Sequence, residues 1–281
     1  MNGSISTKST IHKAVIPAAG LGSRLRPLTN AIPKEMLPLG RYPVLHYIIK
    51  ELRDADVTDI CFIISPTKDV IRNYFGDGSA YGVQARYIYQ TEMKGLGDAI
   101  SLAEVWTCGE DFVVAFGDCV LEFPASNPLK RLMETHTNEN SSATVLTQVI
   151  PLSLSSKYGI VKPVREVSPK CPVQMADLIE KPDPKDAPSN RAVAARWILS
   201  NRIFESLRSA PLQSNGELNL TDAVRQLITS GLPCWSTPLL VGENRLDIGG
   251  WKSYLAASAR YAVNDKEFGS EISKEVIGGV V

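Results

Sequence analysis

The sequence of 281 residues has few of the features that mark specialised protein classes. Its cysteines are scattered, odd in number and without a Cys-x-x-Cys pair, so neither a disulfide framework nor a zinc knuckle is expected. The longest apolar runs are about five residues, too short for a membrane span or a signal-peptide core. We therefore predict a cytoplasmic protein in a reducing environment, with its five cysteines at positions 61, 108, 119, 171 and 234.

The chain also lacks an excess of charge of either sign. Thirty basic residues balance thirty acidic ones, and the isoelectric point is about 6.8. No global field would therefore gather nucleic acid or an anionic membrane, and any polyanion must be bound locally. Apolar residues make up 44% of the chain, enough for one substantial core.

Short β-branched or aromatic runs alternate with helical patterns from Lys13 onward. Because these runs are apolar on both faces, they favour strands covered by helices on both sides. The handedness of parallel crossovers then favours an α/β fold with a Rossmann-like, doubly wound mixed sheet. The predicted strands are Ala14–Ile16, Ile60–Ile64, Ala85–Tyr89, Asp111–Phe116, Ala143–Val149 and Ala192–Leu199.

Apolar stripes at helical spacing lie between these runs. One stripe runs from Leu45 to Leu52 with Pro43 as a candidate first helical residue, and a second runs from Leu96 to Ala103. A third begins at Leu220 behind a candidate Asn219 cap, and a last helix is expected over 250–262. Seven prolines between 151 and 188 exclude long helices there and predict a small β-rich insertion.

The most informative segment is the glycine-rich loop, residues 17–27, directly after the first predicted strand. Gly20 and Gly22 lack the Cβ atoms that would keep backbone amides from an anion, and the small Ala18 and Ala19 leave room for a flat base or ribose. The loop is neither a dinucleotide fingerprint nor a Walker A motif. Two cations, Arg24 in the loop and Lys34 ten residues later, suit a polyphosphate. The alternative is a tight structural turn followed by two solvated charges.

The loop and the following Lys34-Glu35-Met36-Leu37-Pro38 together resemble the sugar-1-phosphate nucleotidyltransferases, and the similarity spans residues 13–262. Further motifs follow in the family's order. They are Gln90 with Lys94-Gly95-Leu96-Gly97, Gly117-Asp118, Tyr158-Gly159, Glu180-Lys181-Pro182, Ser189-Asn190 with Ala192-Val193, Glu217-Leu218-Asn219-Leu220-Thr221-Asp222-Ala223, and Asp247-Ile248-Gly249.

The resemblance implies transfer of a uridylyl group from UTP to glucose 1-phosphate, with magnesium (Mg2+) as cofactor, in a homodimer or homotetramer. Two other functions stay open: a sister enzyme that uses dTTP or another sugar 1-phosphate, and a non-catalytic sugar-nucleotide sensor. Arg24 and Lys34 are the implied catalytic residues. Implied nucleotide ligands are Ala18, Ala19, Gly20, Gly22, Glu35, Gln90 and Gly95; sugar-phosphate ligands are Gly159, Glu180, Lys181 and Val193; metal ligands are Asp118 and Asp247.

Several of these residues also have a plain physical interpretation. Gln90 can donate and accept, as reading a pyrimidine edge requires, but a polar residue at a strand end is equally ordinary. Asp118 follows a buried strand, where open α/β sheets bind ligands, although an aspartate there is often a cap or turn residue. Glu180-Lys181 without the family pattern would be a surface charge pair. Two carboxylates from distant parts of the chain can bind a magnesium ion together with substrate phosphates.

Three positions depart from the family pattern: Asp98, Gly117 and Ala195 stand where histidine, proline and glycine are common. They leave the base and sugar preference more open than the reaction class. For the domain organisation we expect a flexible leader over 1–12 and one nucleotidyltransferase domain over 13–262. That domain has a nucleotide-binding half (13–125) and a sugar-binding half (126–262), and residues 263–281 form a C-terminal extension.

Overall fold

A computed structural model describes residues 11–165 and 167–278 of the chain. Two apolar clusters lie on opposite faces of one central β-sheet, with helices on each side. In the first strand, for example, Ala14 and Ile16 contact one cluster while Val15 contacts the other. This α/β architecture confirms the predicted fold class.

Strands alternate with helices along most of the described chain. The strands are β1 (Lys13–Pro17), β2 (Pro38–Leu39), β3 (Tyr42–Pro43), β4 (Asp59–Ile64), β5 (Gln84–Tyr89), β6 (Phe112–Ala115), β7 (Cys119–Glu122), β8 (Ala143–Val149), β9 (Gly159–Pro163), β10 (Val173–Glu180), β11 (Arg191–Leu199), β12 (Cys234–Pro238) and β13 (Asn244–Asp247). The α-helices are α1 (Val44–Arg53), α2 (Asp69–Phe75), α3 (Leu96–Ser101), α4 (Glu104–Thr107), α5 (Pro128–Asn138), α6 (Ile203–Ser209), α7 (Leu220–Thr229), α8 (Trp251–Val263) and α9 (Gly269–Gly278).

The central sheet has nine strands in the order β5-β4-β1-β6-β11-β8-β12-β10-β9. The first four are mutually parallel, so their carboxyl ends meet at one edge, where open α/β sheets bind ligands. Strand β11 runs antiparallel to both of its neighbours, β6 and β8, which makes the sheet mixed. Because β6 and β11 come from the two expected halves, those halves share one sheet.

A two-stranded ribbon outside the main sheet joins distant parts of the chain. In it β7 pairs antiparallel with β13, and Cys119 lies opposite Asp247. The residues before Cys119 and after Asp247 are thereby brought together: the amide of Ile248 donates to the carbonyl of Asp118 at 2.9 Å. This ribbon assembles part of the site described below.

Several predicted elements differ in detail. Pro43 precedes the helix, because it pairs with Pro38 in the β2–β3 hairpin and has an extended backbone, so α1 begins at Val44. The stripe from Leu96 to Ala103 contains α3 and then a break before α4. The β-rich insertion is present, but its strands β9 and β10 extend the edge of the main sheet. The predicted Asn219 cap is confirmed, since its side chain accepts the Thr221 amide.

The two ends of the described chain are part of the fold. Residues 1–10 of the expected leader lie outside the described residues, whereas Ile11 is buried and the carbonyl of His12 accepts amides from Thr58 and Asp59. Near the other end, Arg41 donates to Asp265 and Glu267, which ties the segment before α9 to the β2–β3 hairpin. None of the described helices has both the length and the apolar character that crossing a membrane requires.

Candidate active site

Two adjoining cavities open at the carboxyl edge of the parallel strands. The loop cavity, of about 410 Å³, is lined by the glycine-rich loop, Lys34, Glu35, Gln90 and Gly95. The Glu180 cavity, of about 270 Å³, is lined by Arg24, Glu180, Lys181, Gly159, Val193 and Asp247. Leu96, Phe116 and Asp118 line both cavities. The two cavities therefore meet at Asp118 and form one cleft.

The glycine-rich loop turns sharply after β1. Gly22 has a φ of +64°, and a Cβ there would lie 3.1 Å from the Thr29 methyl group, so a side chain would be both strained and crowded. The Thr29 hydroxyl donates to the Gly22 carbonyl at 2.9 Å and fixes the turn. In the described part of the chain, the amides of residues 19–22 donate to no protein acceptor. Such a row of amides beside a cavity is a typical anion-binding geometry.

Lys68, which the sequence patterns did not single out, also holds this loop in place. Its buried ammonium donates to the carbonyls of Ala18 and Gly20 at 2.7 and 2.6 Å, and to Glu35 Oε2 at 2.8 Å. Burial lowers the pKa of Lys68, although the Glu35 carboxylate opposes that effect. Ala18 and Glu35, predicted as nucleotide ligands, are thus both anchored to this lysine, and Ala18 is buried behind the cavity wall. A lysine just beyond the carboxyl end of β4 was the available sequence signal.

Lys34 and Asp118 face each other where the cavities meet. Lys34 Nζ donates to Asp118 Oδ2 at 2.5 Å, and the two side chains are only 19% and 20% exposed. Burial alone would lower the pKa of Lys34, but the charges of Asp118 and Glu35 outweigh it and raise that pKa. Burial would likewise raise the pKa of Asp118, yet Lys34 and Arg24 lower it. Both groups are therefore charged at neutral pH.

The second carboxylate, Asp247, ends β13 beside Asp118. Its Oδ1 accepts the Gly249 amide at 2.7 Å, which fixes the carboxylate at the cleft. The Arg24 guanidinium lies against the same glycine, because a Cβ built on Gly249 would be 3.4 Å from Arg24 Nη2. The fold therefore brings together the two predicted metal ligands and both predicted catalytic cations.

This donor set fits a magnesium ion that takes its other ligands from water and phosphate. In the described residues, no group of three or more His, Cys, Asp or Glu side chains could bind a metal without outside ligands. Magnesium is commonly bound by one or two carboxylates together with substrate phosphates. Asp118 and Asp247 match that pattern.

The predicted base-reading residues lie at the far end of the loop cavity. Gln90 follows β5, is 4% exposed and donates through its amide nitrogen to the Gly95 carbonyl and to Asp98. Gly95 has a φ of +94°, and a Cβ there would lie 2.8 Å from the Leu218 carbonyl. The glycine is thus required by contact with the chain itself, in addition to any close approach of a base.

The predicted sugar-phosphate residues line the Glu180 cavity. Thr221 donates to Glu180 Oε2 at 2.7 Å, and Lys181 Nζ lies 3.1 Å from the other carboxylate oxygen. Gly159 lies where a Cβ would be 3.2 Å from a Val193 methyl and 3.3 Å from Glu180 Oε2. These four residues therefore form one wall of the cleft, with a cation beside a hydrogen-bonded carboxylate.

Arg245 is a further residue of this wall that the sequence analysis missed. Its Nη1 donates to the Val193 carbonyl at 2.7 Å, and its guanidinium carbon lies 4.1 Å from the centre of the Tyr158 ring. The available signal was its position in β13 two residues before Asp247, because alternate residues of a strand share a face.

The structure shows the surroundings of two positions that depart from the family pattern, Ala195 and Gly117. Ala195 has a φ of +62° at an irregularity in β11 and lines the Glu180 cavity, so a non-glycine residue occupies a left-handed conformation. At Gly117 a Cβ would lie 3.0 Å from Glu35 Cγ and 3.2 Å from the Pro17 carbonyl. Glycine at 117 thus accommodates the Glu35 side chain.

The fold and the cleft define an α/β protein with a cation-lined ligand site at the carboxyl ends of its parallel strands. The chain belongs to the nucleotidyl transferase family, whose model matches residues 13–264. It is 34% identical over 291 residues to UTP–glucose-1-phosphate uridylyltransferase of Mycoplasma genitalium, and the alignment covers 96% of this chain and 97% of that relative.

Solved structures agree with this assignment. The chain is similar to the UTP-bound UGPase of Acinetobacter baumannii, with a TM-score of 0.86, 25% identity, and coverage of 95% of this chain and 99% of the other. It is also similar to a UDP-glucose pyrophosphorylase complexed with UDP-glucose, with a TM-score of 0.83, 29% identity, and coverage of 91% and 100%.

Proposed function

We propose that the chain transfers a uridylyl group from UTP to glucose 1-phosphate, giving UDP-glucose and pyrophosphate. The observation that carries this proposal is the meeting of the two cavities at Asp118, with cations on both sides. Such a cleft suits two phosphorylated ligands whose phosphates must touch. The relatives' names, with UTP in one solved complex and UDP-glucose in another, support the choice of substrates.

The reaction needs positioning more than proton transfer. A phosphate oxygen of glucose 1-phosphate attacks the α-phosphorus of UTP in line, and the bond from that phosphorus to the oxygen bridging to the β-phosphate breaks. Because the attacking oxygen is already anionic, no general base is required. Catalysis then consists of aligning two mutually repelling anions and neutralising the charge that builds up on the phosphorus.

The predicted site residues of the cleft have the following roles in this proposal. Arg24 and Lys34 neutralise the triphosphate, and the amides of residues 19–22 receive its oxygens. Lys181 anchors the sugar phosphate, while Glu180 binds sugar hydroxyls. Asp118 and Asp247 would bind Mg2+, which when present supplies further positive charge between the phosphates. The transfer of Lys34 from Asp118 to a phosphate would free that carboxylate for the metal.

The first test is pyrophosphate release from the purified protein with magnesium and glucose 1-phosphate, run in parallel with UTP, dTTP, ATP, CTP and GTP. We expect release with UTP to be foremost. Release led by dTTP would assign the chain to the sister enzyme, for which Asp98, Gly117 and Ala195 are the motivating residues. If none of the five nucleotides gives pyrophosphate release but calorimetry shows binding of UDP-glucose, a sugar-nucleotide sensor would be favoured.

The site assignment has its own test. We expect Arg24→Ala and Asp118→Asn each to lower kcat by about 100-fold or more, because each removes a charge aimed at the reacting phosphates. Arg26→Ala is the matched control: it removes a neighbouring exposed arginine that lines neither cavity, so near-normal turnover is expected. Near-normal turnover in Arg24→Ala would contradict the assignment.

The cysteines indicate the kind of cellular compartment in which the protein acts. All five cysteines lie in the described part of the chain and are free thiols. We propose on this ground that it acts in a reducing compartment such as the cytoplasm.

A further inference from the structure

The side-chain amide of Gln90 is held by two hydrogen bonds within the protein. Its backbone amide donates to the Ile64 carbonyl at 2.8 Å, so the residue continues the β4–β5 pairing by one position. The side chain is buried yet lines the loop cavity. Its orientation therefore decides which kind of hydrogen-bonding atom the cavity presents.

Two neighbours fix that orientation. Gln90 Nε2 donates to the Gly95 carbonyl at 3.2 Å and to Asp98 Oδ2 at 2.7 Å. A carbonyl and a carboxylate can only accept, so the nitrogen end of the amide must face them. The bond to the charged Asp98 is the shorter and, as a charge-assisted bond, the stronger of the two. The amide oxygen remains as the polar atom that Gln90 offers to the cavity.

Asp98 is itself positioned by the fold. It lies in the first turn of α3 and is half-buried, and the preceding Gly97 amide donates to the Leu218 carbonyl at 2.9 Å. A Cβ on Gly97 would come within 2.7 Å of the Leu218 side chain, so this turn sits tightly against the chain after Glu217. The carboxylate therefore has a defined place from which to bind the Gln90 amide.

An acceptor in this position distinguishes the nucleobases. Uracil and thymine present an imide N–H donor on the edge where cytosine presents a bare ring nitrogen that can only accept. A fixed amide oxygen pairs with the imide and is repelled by the cytosine nitrogen, which leaves two acceptors facing each other. Were the amide to turn over, its NH2 group would favour cytosine instead.

We propose that Asp98 is a specificity-determining residue: by holding the Gln90 amide with its oxygen toward the loop cavity, it favours uridine and thymidine nucleotides over cytidine nucleotides. Asp98 acts through Gln90 and is thus a positioning residue. This inference rests on the proposed function, because it assigns the loop cavity to the nucleobase.

The test compares kcat/KM for UTP and CTP in the wild-type protein and in two variants. Asp98→Asn keeps the size of the side chain but can donate as well as accept, so only the longer bond to the Gly95 carbonyl then holds the Gln90 orientation. Asp98→Lys can only donate and therefore favours the reversed amide. We expect the UTP:CTP ratio of kcat/KM to fall by about tenfold in the first variant and further in the second, mainly through KM, because Asp98 acts on the binding of the base through Gln90.

The control variant is Glu104→Gln, which removes an exposed carboxylate from the neighbouring helix α4, where it pairs with Arg208. It should leave the ratio unchanged. A ratio within twofold of wild type in Asp98→Asn, or an equal loss of activity with UTP and CTP, would overturn the role of Asp98 while the proposed function stands.

Calorimetric titration of UTP and CTP, with no sugar phosphate present, separates this inference from catalysis. A weakened preference for UTP in Asp98→Asn supports the inference even if turnover is slow. Equal affinity of the wild-type protein for UTP and CTP would overturn it. The wild-type protein could also fail to release pyrophosphate from UTP and still bind UTP more tightly than CTP. If Asp98→Asn then loses this binding preference, the proposed function is contradicted while the role of Asp98 stands.

Discussion

Ala195 is one of five non-glycine residues in the described part of the chain that have a positive φ. Its φ of +62° lies in the left-handed region, which costs an L-residue with a Cβ about 1–2 kcal/mol relative to its usual conformation. The residue is 5% exposed and sits at the irregularity that separates the two regular stretches of β11 pairing. The surrounding sheet therefore imposes this conformation.

Replacement of this alanine by glycine should stabilise the protein. We expect Ala195→Gly to raise the free energy of unfolding by about 1 kcal/mol, because glycine adopts this conformation without the steric cost. Urea denaturation at neutral pH measures the change. Ala192→Gly is the matched control in the regular part of the same strand, where it should lower the free energy of unfolding by about 1 kcal/mol. A loss of stability in both variants would contradict the argument.

At the same scale, Lys68 shows how a cation can contribute without facing the ligand. Its three acceptors are two loop carbonyls and Glu35. A buried ammonium with three good bonds is satisfied, and it occupies two carbonyls that would otherwise repel an anion. Lys68 thus supports the loop through its backbone.

At the scale of elements, one buried ion pair ties three of them together. Arg196 of β11 donates through Nε and Nη2 to the two carboxylate oxygens of Glu51 in α1, at 2.8 and 2.7 Å. Its Nη2 also donates to the carbonyl of Cys119 at the start of β7. Arg196 is 0% and Glu51 4% exposed. Since Cys119 follows Asp118, this pair also supports the strand that carries a predicted metal ligand.

Removal of one charge of the Arg196–Glu51 ion pair should destabilise the fold. We expect Glu51→Gln to lower the free energy of unfolding by about 3–5 kcal/mol, because it leaves the Arg196 charge buried without a counterion. Guanidinium denaturation measures the loss. Lys50→Gln is the control on the same helix: it removes an exposed pair with Asp54, which should change stability by less than about 1 kcal/mol. Similar losses in the two variants would contradict the special role of the buried pair.

At the scale of the whole molecule, three buried thiols make stability depend on pH. Burial raises the pKa of Cys61, Cys119 and Cys234 from the ordinary 9.0 to about 12. Above pH 9 the unfolded chain releases these three protons while the folded chain keeps them. The unfolded state is then favoured progressively, so the stability that is fully present below pH 9 is lost as the pH rises toward 12.

We expect each buried thiol to lower the free energy of unfolding by about 1.4 kcal/mol per pH unit in this window. Chemical denaturation under reducing conditions, at about pH 8 and about pH 10.5, measures the slope. Cys61→Ala should make the slope shallower, whereas Cys108→Ala, which removes an exposed thiol, should not. An unchanged slope in Cys61→Ala would show that burial does not shift this thiol.

The sequence predicts the parts of the molecule that depend on local patterns. The strands before and after the glycine-rich loop, the α1 stripe and the Asn219 cap follow from periodicity and capping chemistry, and the structure contains all of them. The clustering of Arg24, Lys34, Asp118 and Asp247 follows from the family motifs, and the fold brings these side chains to one cleft.

Other features depend on contacts between distant segments and have no local signal. The four-residue strands β7 and β13 pair across more than a hundred residues, and neither is long enough to show a pattern. Lys68 acts through loop carbonyls, which no side-chain motif records. Strands β9 and β10 belong to the main sheet because of the strands with which they pair. The prolines and β-branched residues of this segment do not specify those partners.

The β7–β13 ribbon also joins a residue made early in synthesis to one made late. The first carboxylate, Asp118, is synthesised long before Asp247, and only the closed ribbon brings them together. A chain still being synthesised has residues 17–27 and the sugar-side residues 159–193 before it has the second carboxylate, residue 247. Of the described residues, Asp247 is the last along the chain to line either cavity, so the proposed metal site is the last part of the cleft to be completed during synthesis.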